Sequence, residues 1–138
     1  MQAPTALQLL ANTSVRLALE EAWLASQAYD PTQRHEEGGW IYLDIATGAI
    51  LARRAAPGAQ AAIDLTSPPL ISGAVIVATF HTHPNPSTER WEPGPSAGDT
   101  QSAFILGVPC LIRADDGYHS TGPDSRRGGL MGPSGFPS

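Results

Sequence analysis

His81-Thr82-His83-Pro84 closes the apolar run from Gly73 to Phe80. On a strand, alternate residues share a face, so the two imidazoles point the same way. Two histidines aimed together can hold a metal; they can also form a solvated polar turn at a strand end. Downstream, Ser96-Ala97-Gly98-Asp99 brings a carboxylate into play. It also reads as a capping box, with Asp99 in a first helical turn where negative charge is favoured. Upstream stand Glu36 and Glu37, either a functional acid or an exposed acidic pair. Zinc-assisted hydrolysis wants about three N or O ligands and one open position for water. His81, His83 and Asp99 can provide those ligands, and an acid from an earlier strand can sit opposite them.

The elements around these residues follow from local pattern. Asn12, Thr13 and Ser14 offer cap oxygens to a helix over Thr13 to Ala28, whose Val15, Leu19, Ala22, Trp23 and Ser26 fall near helical spacing. Tyr29-Asp30-Pro31 ends it, and a short turn over Thr5 to Leu10 precedes it. Gly38 to Asp44 reads as a strand entered through glycines and forms a hairpin with a second strand over Ala49 to Arg54. Small residues, Gly58 and Pro68-Pro69 make Ala55 to Pro69 a loop, with one helical turn near Gln60. Ala74 to Phe80 is nearly continuous in apolar residues, the pattern of a central strand covered on both faces. Pro84 to Pro95 is a loop, and a helix starts at Ser96 and stops near Leu106 before Gly107. Cys110 to Ala114 and Tyr118 to Thr121 are strands joined by Asp115-Asp116-Gly117, where Asp-Gly signals a hairpin. The expected organisation is one α/β domain over 1–122 and a Gly-, Pro- and Ser-rich tail over 123–138.

Composition removes several function classes. The chain has 138 residues, enough for one domain with a real core. Its net charge is −5, and all eight basic residues are Arg, dispersed from Arg16 to Arg127 among 13 acids. A nucleic-acid partner would call for a basic face, so none is expected. With no Lys, the protein also has no side-chain amine through which to be conjugated to a modifier. Cys110 is the one cysteine, which excludes an internal disulfide and a thiolate cluster; its apolar neighbours predict a buried, inert thiol. No membrane-length apolar run and no leader pattern are visible, so the expectation is a cytoplasmic protein, with export by a route that needs no cleaved signal as the alternative.

Taken together, Glu36-Glu37-Gly38-Gly39-Trp40, His81-Thr82-His83-Pro84 and Ser96-Ala97-Gly98-Asp99 resemble the JAMM, or MPN-type, metalloprotease pattern. The resemblance implies a mixed, curved sheet flanked by an N-terminal helix and a helix after the H-x-H strand. It implies that His81, His83 and Asp99 bind Zn2+, that Glu36 is the general base and that Ser96 donates to the developing oxyanion. It further implies cleavage of a peptide or isopeptide bond in a protein or peptide substrate, a ubiquitin-like modifier among them. The run from Pro84 to Pro95 is longer than is common in that family and resembles its bacterial branch, including domains of secreted toxins. The rival reading is a catalytically silent zinc-containing module that binds a protein. Zinc deaminases are disfavoured because H-x-E and P-C-x-x-C are absent.

Glu36 is preferred to Glu37 as base, because it has the family's offset to Gly39 and Glu37 falls on the opposite face of a strand already begun. His35 and His119 are weaker ligand candidates, and each reads equally as a surface histidine. Arg90 and Trp91 in the long loop are candidate substrate contacts. Arg126-Arg127-Gly128-Gly129 is similar to the diglycine end of a ubiquitin-like modifier, although a Gly-rich tail produces such a run by composition alone.

Overall fold

A computed structural model describes residues 3–89, 91 and 93–123. The chain begins with a full capping box: Thr5 Oγ1 accepts the Gln8 N–H, and Gln8 Oε1 accepts the Thr5 N–H. The expected turn there is therefore a helix, α1, Ala6–Ala11. Asn12 caps α2, Thr13–Ala25, through a bond from the Val15 N–H to its Oδ1. That helix ends before Ala28 because Ser26 Oγ donates back to the Trp23 carbonyl and Gln27 takes φ 52°, turning the chain before Pro31 can stop it.

Five strands follow, β1 Gly38–Asp44, β2 Ile50–Arg54, β3 Ala74–His83, β4 Cys110–Ala114 and β5 Gly117–Thr121, with α3, Ala97–Leu106, between β3 and β4. They form one mixed sheet in the order β2-β1-β3-β4-β5. Only β3 and β4 run parallel, because the α3 crossover joins them; the other neighbours are antiparallel. The described residues form a small α/β domain with three α-helices among them. No helix among the described residues is long and apolar enough to cross a membrane. Near Gln60 the backbone bends and forms no helical turn, and the 84–95 loop carries one 3-10 turn, Ser87–Glu89.

Strand parity separates the two faces. Ile41, Ala78, Phe80 and Leu111 pack with Leu9, Leu10, Val15 and Leu19 of the first two helices. On the other side Cys110 and Ile112 pack under Ala103 of α3. As expected β3 is the central strand, but only its second half is covered on both faces; Val75 is 47% exposed. The strand also runs further than its apolar run predicted. Thr82 pairs with Arg113 and His83 with Ala114, so both histidines lie within the ladder, on the opposite face from Phe80.

Gly38 fixes how closely β1 approaches that point. It pairs with His81, and a Cβ there would lie 2.1 Å from the Phe80 carbonyl oxygen and 2.8 Å from His81 Cα. Both obstacles are backbone, so Gly38→Ala is expected to cost about 2–4 kcal/mol of stability. A denaturant titration checks this, and a loss under about 0.5 kcal/mol would contradict the close approach.

Candidate metal centre

Thr82, between the two histidines, points to the opposite face and acts on the backbone. Its Oγ1 accepts the Glu37 N–H at 3.1 Å, and its own N–H donates to the Glu37 carbonyl at 2.9 Å. These bonds continue the β1–β3 ladder past Gly38 and bring Glu36 over His81. The Glu36 carboxylate Oε1 lies 4.0 Å from His81 Nε2. Glu37 turns away to pair with His35 and Arg54. Of the two acids, then, only Glu36 faces the histidines.

The imidazole nitrogens His81 Nε2 and His83 Nε2 are 3.1 Å apart. Asp99 enters from the first turn of α3, with Oδ1 3.4 Å from His81 Nε2 and Oδ2 3.2 Å from His83 Nε2. Tetrahedral ligands about 2.0–2.1 Å from zinc are separated from one another by about 3.3 Å, so this spacing fits one ion.

The tautomers fit as well. His83 Nδ1 is 3.2 Å from the Pro93 carbonyl oxygen, which can only accept, so Nδ1 carries the proton and the Nε2 lone pair faces the centre. His81 Nδ1 meets the Cys110 sulfur at 3.5 Å; a proton donated there directs the second Nε2 lone pair to the same point. Two lone pairs 3.1 Å apart need a cation or a proton between them.

His81, Asp99 and Cys110 form another close group, with ligand atoms within 4.8 Å of one another. Cys110, however, faces Nδ1, whose lone pair diverges from that of the Nε2 that Asp99 approaches. The Nε2 grouping is therefore the better cation site, and Cys110 is better placed to orient His81.

Charge in the centre follows from burial and neighbours. Burial opposes ionisation of Asp99, but the hydrogen bonds from His81 and His83 outweigh it and hold its carboxyl well below the usual range. Burial also opposes a charged His81, yet the sulfur of Cys110 and the carboxylate of Asp99 reverse this and push its pKa well above the ordinary value. For Glu36 burial dominates and raises the carboxyl's pKa; His81 and His83 pull it down less, and Asp99 adds to the rise. A carboxylate so raised is a better proton acceptor near neutral pH.

Ser96 caps α3. Its Oγ accepts the Asp99 N–H at 3.1 Å, and Asp99 Oδ2 accepts the Ser96 N–H at 2.9 Å, so the capping box forms in full. The same carboxylate reaches both histidines, so capping and ligation are compatible. The Ser96 hydroxyl proton is left free to donate into the cleft that Ser96 lines.

The other candidates fall elsewhere. His35 pairs with Glu37, and His119 Nε2 bonds Asp116 Oδ1 at 2.7 Å; neither reaches the centre. Trp91 lines the cleft, 40% exposed. Arg90, Arg126-Arg127-Gly128-Gly129 and all of the tail beyond Pro123 lie outside the described residues.

Sequence reasoning missed Cys110 and the Pro93 carbonyl. The cysteine is buried as expected, but its thiol contacts a candidate ligand. Replacing Cys110 by Ala, which removes the partner of Nδ1, is expected to weaken zinc binding about 10-fold. Cys110→Ser, which keeps an acceptor, is expected to restore most of it. Competitive zinc titration of both variants is the check, and equal losses would show that only the packing matters.

The centre lies on the floor of a cleft of about 710 Å³. One wall is α3 and the other is the 61–66 segment. That second wall is tied down from its flanks and from below. Glu36 N–H bonds the Ala59 carbonyl, Trp40 Nε1 bonds that of Leu65, Tyr42 OH bonds that of Pro69, and Gln60 and Asn85 exchange two hydrogen bonds. No family model matches the chain, and no curated protein or solved structure does either.

Proposed function

We propose that this chain is a zinc-dependent hydrolase of the JAMM/MPN type that cleaves a peptide or isopeptide bond. The observation that carries this reading is the convergence of His81 Nε2, His83 Nε2 and Asp99 within 3.1–3.4 Å of one another, with the Glu36 carboxylate 4.0 Å from His81. His81, His83 and Asp99 would hold the ion. Zinc, when bound, supplies an acidified water and a Lewis acid for the scissile carbonyl.

The chain's own groups do the rest. Glu36 accepts the proton of the attacking water and returns it to the leaving amide nitrogen, for which its place beside the histidine pair suits it. The Ser96 hydroxyl donates to the carbonyl oxygen as negative charge grows there. The Pro93 carbonyl and the Cys110 sulfur hold the two imidazoles in their tautomers. Thr82 holds Glu36 in reach through the backbone of Glu37.

The test is elemental analysis and zinc titration of protein purified without a histidine tag, followed by a screen of peptide and isopeptide substrates. One zinc per chain with zinc-dependent cleavage supports the reading. Failure to take up zinc overturns it, and stoichiometric zinc without turnover leaves the silent binding module as the better account.

A further inference from the structure

We infer that the cleft holds a pocket for a bulky apolar side chain next to the bond to be cut, so that the preferred substrate carries Leu, Met or Phe there and not Gly or a charged residue. This deepens the hydrolase reading and rests on it. The pocket floor is Thr79, two residues before His81 on the same face of β3, beside its strand partner Cys110. Two residues along a strand span about 6.8 Å, a span that the side chain of the residue flanking a carbonyl held at the centre covers only when it is as long as Leu, Met or Phe. Leu65 and Ile63 form one wall, and Leu106 at the end of α3 forms the other. All three are half-buried, so apolar surface remains there for a ligand to cover.

Charge points the same way. Among the described residues, the only acids lining the cleft are Glu36 and Asp99, both in the centre itself, and no Arg lines it. A charged side chain placed over Thr79 would lose water and gain no partner among these described lining residues. An aliphatic or aromatic one would bury its surface against Leu65 and Leu106. The wall is preorganised, because the bonds from Trp40 and Tyr42 go to backbone carbonyls of the segment and do not depend on what binds.

The experiment uses one peptide series differing only at the residue flanking the scissile bond (Gly, Ala, Leu, Phe, Asp, Arg), read in two ways. With the zinc-loaded native protein, kcat/KM is expected to be about 10- to 100-fold higher for Leu or Phe than for Gly, and lower still for Asp. With the Glu36→Gln protein, which isolates binding from turnover, Kd is expected to follow the same order. Ser102→Trp, at an exposed position of α3 bordering the pocket, should move the preference towards Gly and Ala. Leu65→Ala on the opposite wall should reduce the preference for Phe several-fold. A Gly or Asp preference in both readings, or none, overturns the pocket even if zinc-dependent cleavage is found. An apolar preference in Kd without any cleavage upholds the pocket and removes the hydrolase reading instead.

Discussion

Glu36→Gln is expected to lower kcat by about 10²–10⁴-fold while leaving zinc affinity close to native. The Glu36 Oε1 lies 4.0 Å from His81 Nε2, beyond the 3.1–3.4 Å that separates the three candidate ligands. The amide keeps the size of the acid, so the cleft and the Thr82–Glu37 bonds persist. What is lost is a group able to accept a proton. Single-turnover cleavage and zinc titration on the same preparation separate the two effects. A variant with native turnover removes Glu36 from the chemistry, and one that also loses zinc makes it a ligand. Glu37→Gln is the matched control, since Glu37 faces His35 and Arg54 and not the histidine pair.

Asp99→Asn addresses the other ambiguity, whether Asp99 is more than a cap. Asparagine still has an oxygen to accept the Ser96 N–H, so the start of α3 is preserved, with a loss of about 0.3–1 kcal/mol from the helix dipole. As a neutral ligand it binds zinc poorly. The expected result is a fold close to native in stability whose zinc affinity falls more than about 100-fold. Thermal melts with and without metal make this visible. At zinc a hundred times its Kd the native protein gains about 2.7 kcal/mol, and Asp99→Asn is expected to gain almost none at that concentration. If the variant is destabilised but still gains like the native protein, the Ser96–Asp99 pair is only a capping box.

Much of this centre was legible because its parts obey short-range rules. The period of two on β3 put His81 and His83 on one face, and Ser96 three residues before Asp99 marked the start of α3. The hairpin turns after Asp44 and Ala114 were equally local. What could not be read was long-range. Cys110 becomes the neighbour of His81 through the parallel register of β3 and β4, Thr79 with Cys110 and His81 with Ile112, which no local pattern encodes. The Pro93 carbonyl depends on the path of an irregular loop. The end of α2 was misplaced for a smaller reason, because a serine hydroxyl and a left-handed Gln27 compete with helix propensity that continues to Ala28.

The attachment of the 55–69 wall has an evolutionary consequence. It hangs mainly on carbonyl oxygens, of Ala59, Leu65 and Pro69, which every residue type possesses. Ala61, Ala62, Ile63 and Thr66, which face the cleft, are absent from both hydrophobic core clusters. Mutations there can change what the cleft accepts at little cost to folding, whereas Trp40, Tyr42 and the histidine-bearing floor are constrained. Such a chain can acquire new specificities by drift along one rim, and a library randomised at those four positions is where a laboratory would look for them first.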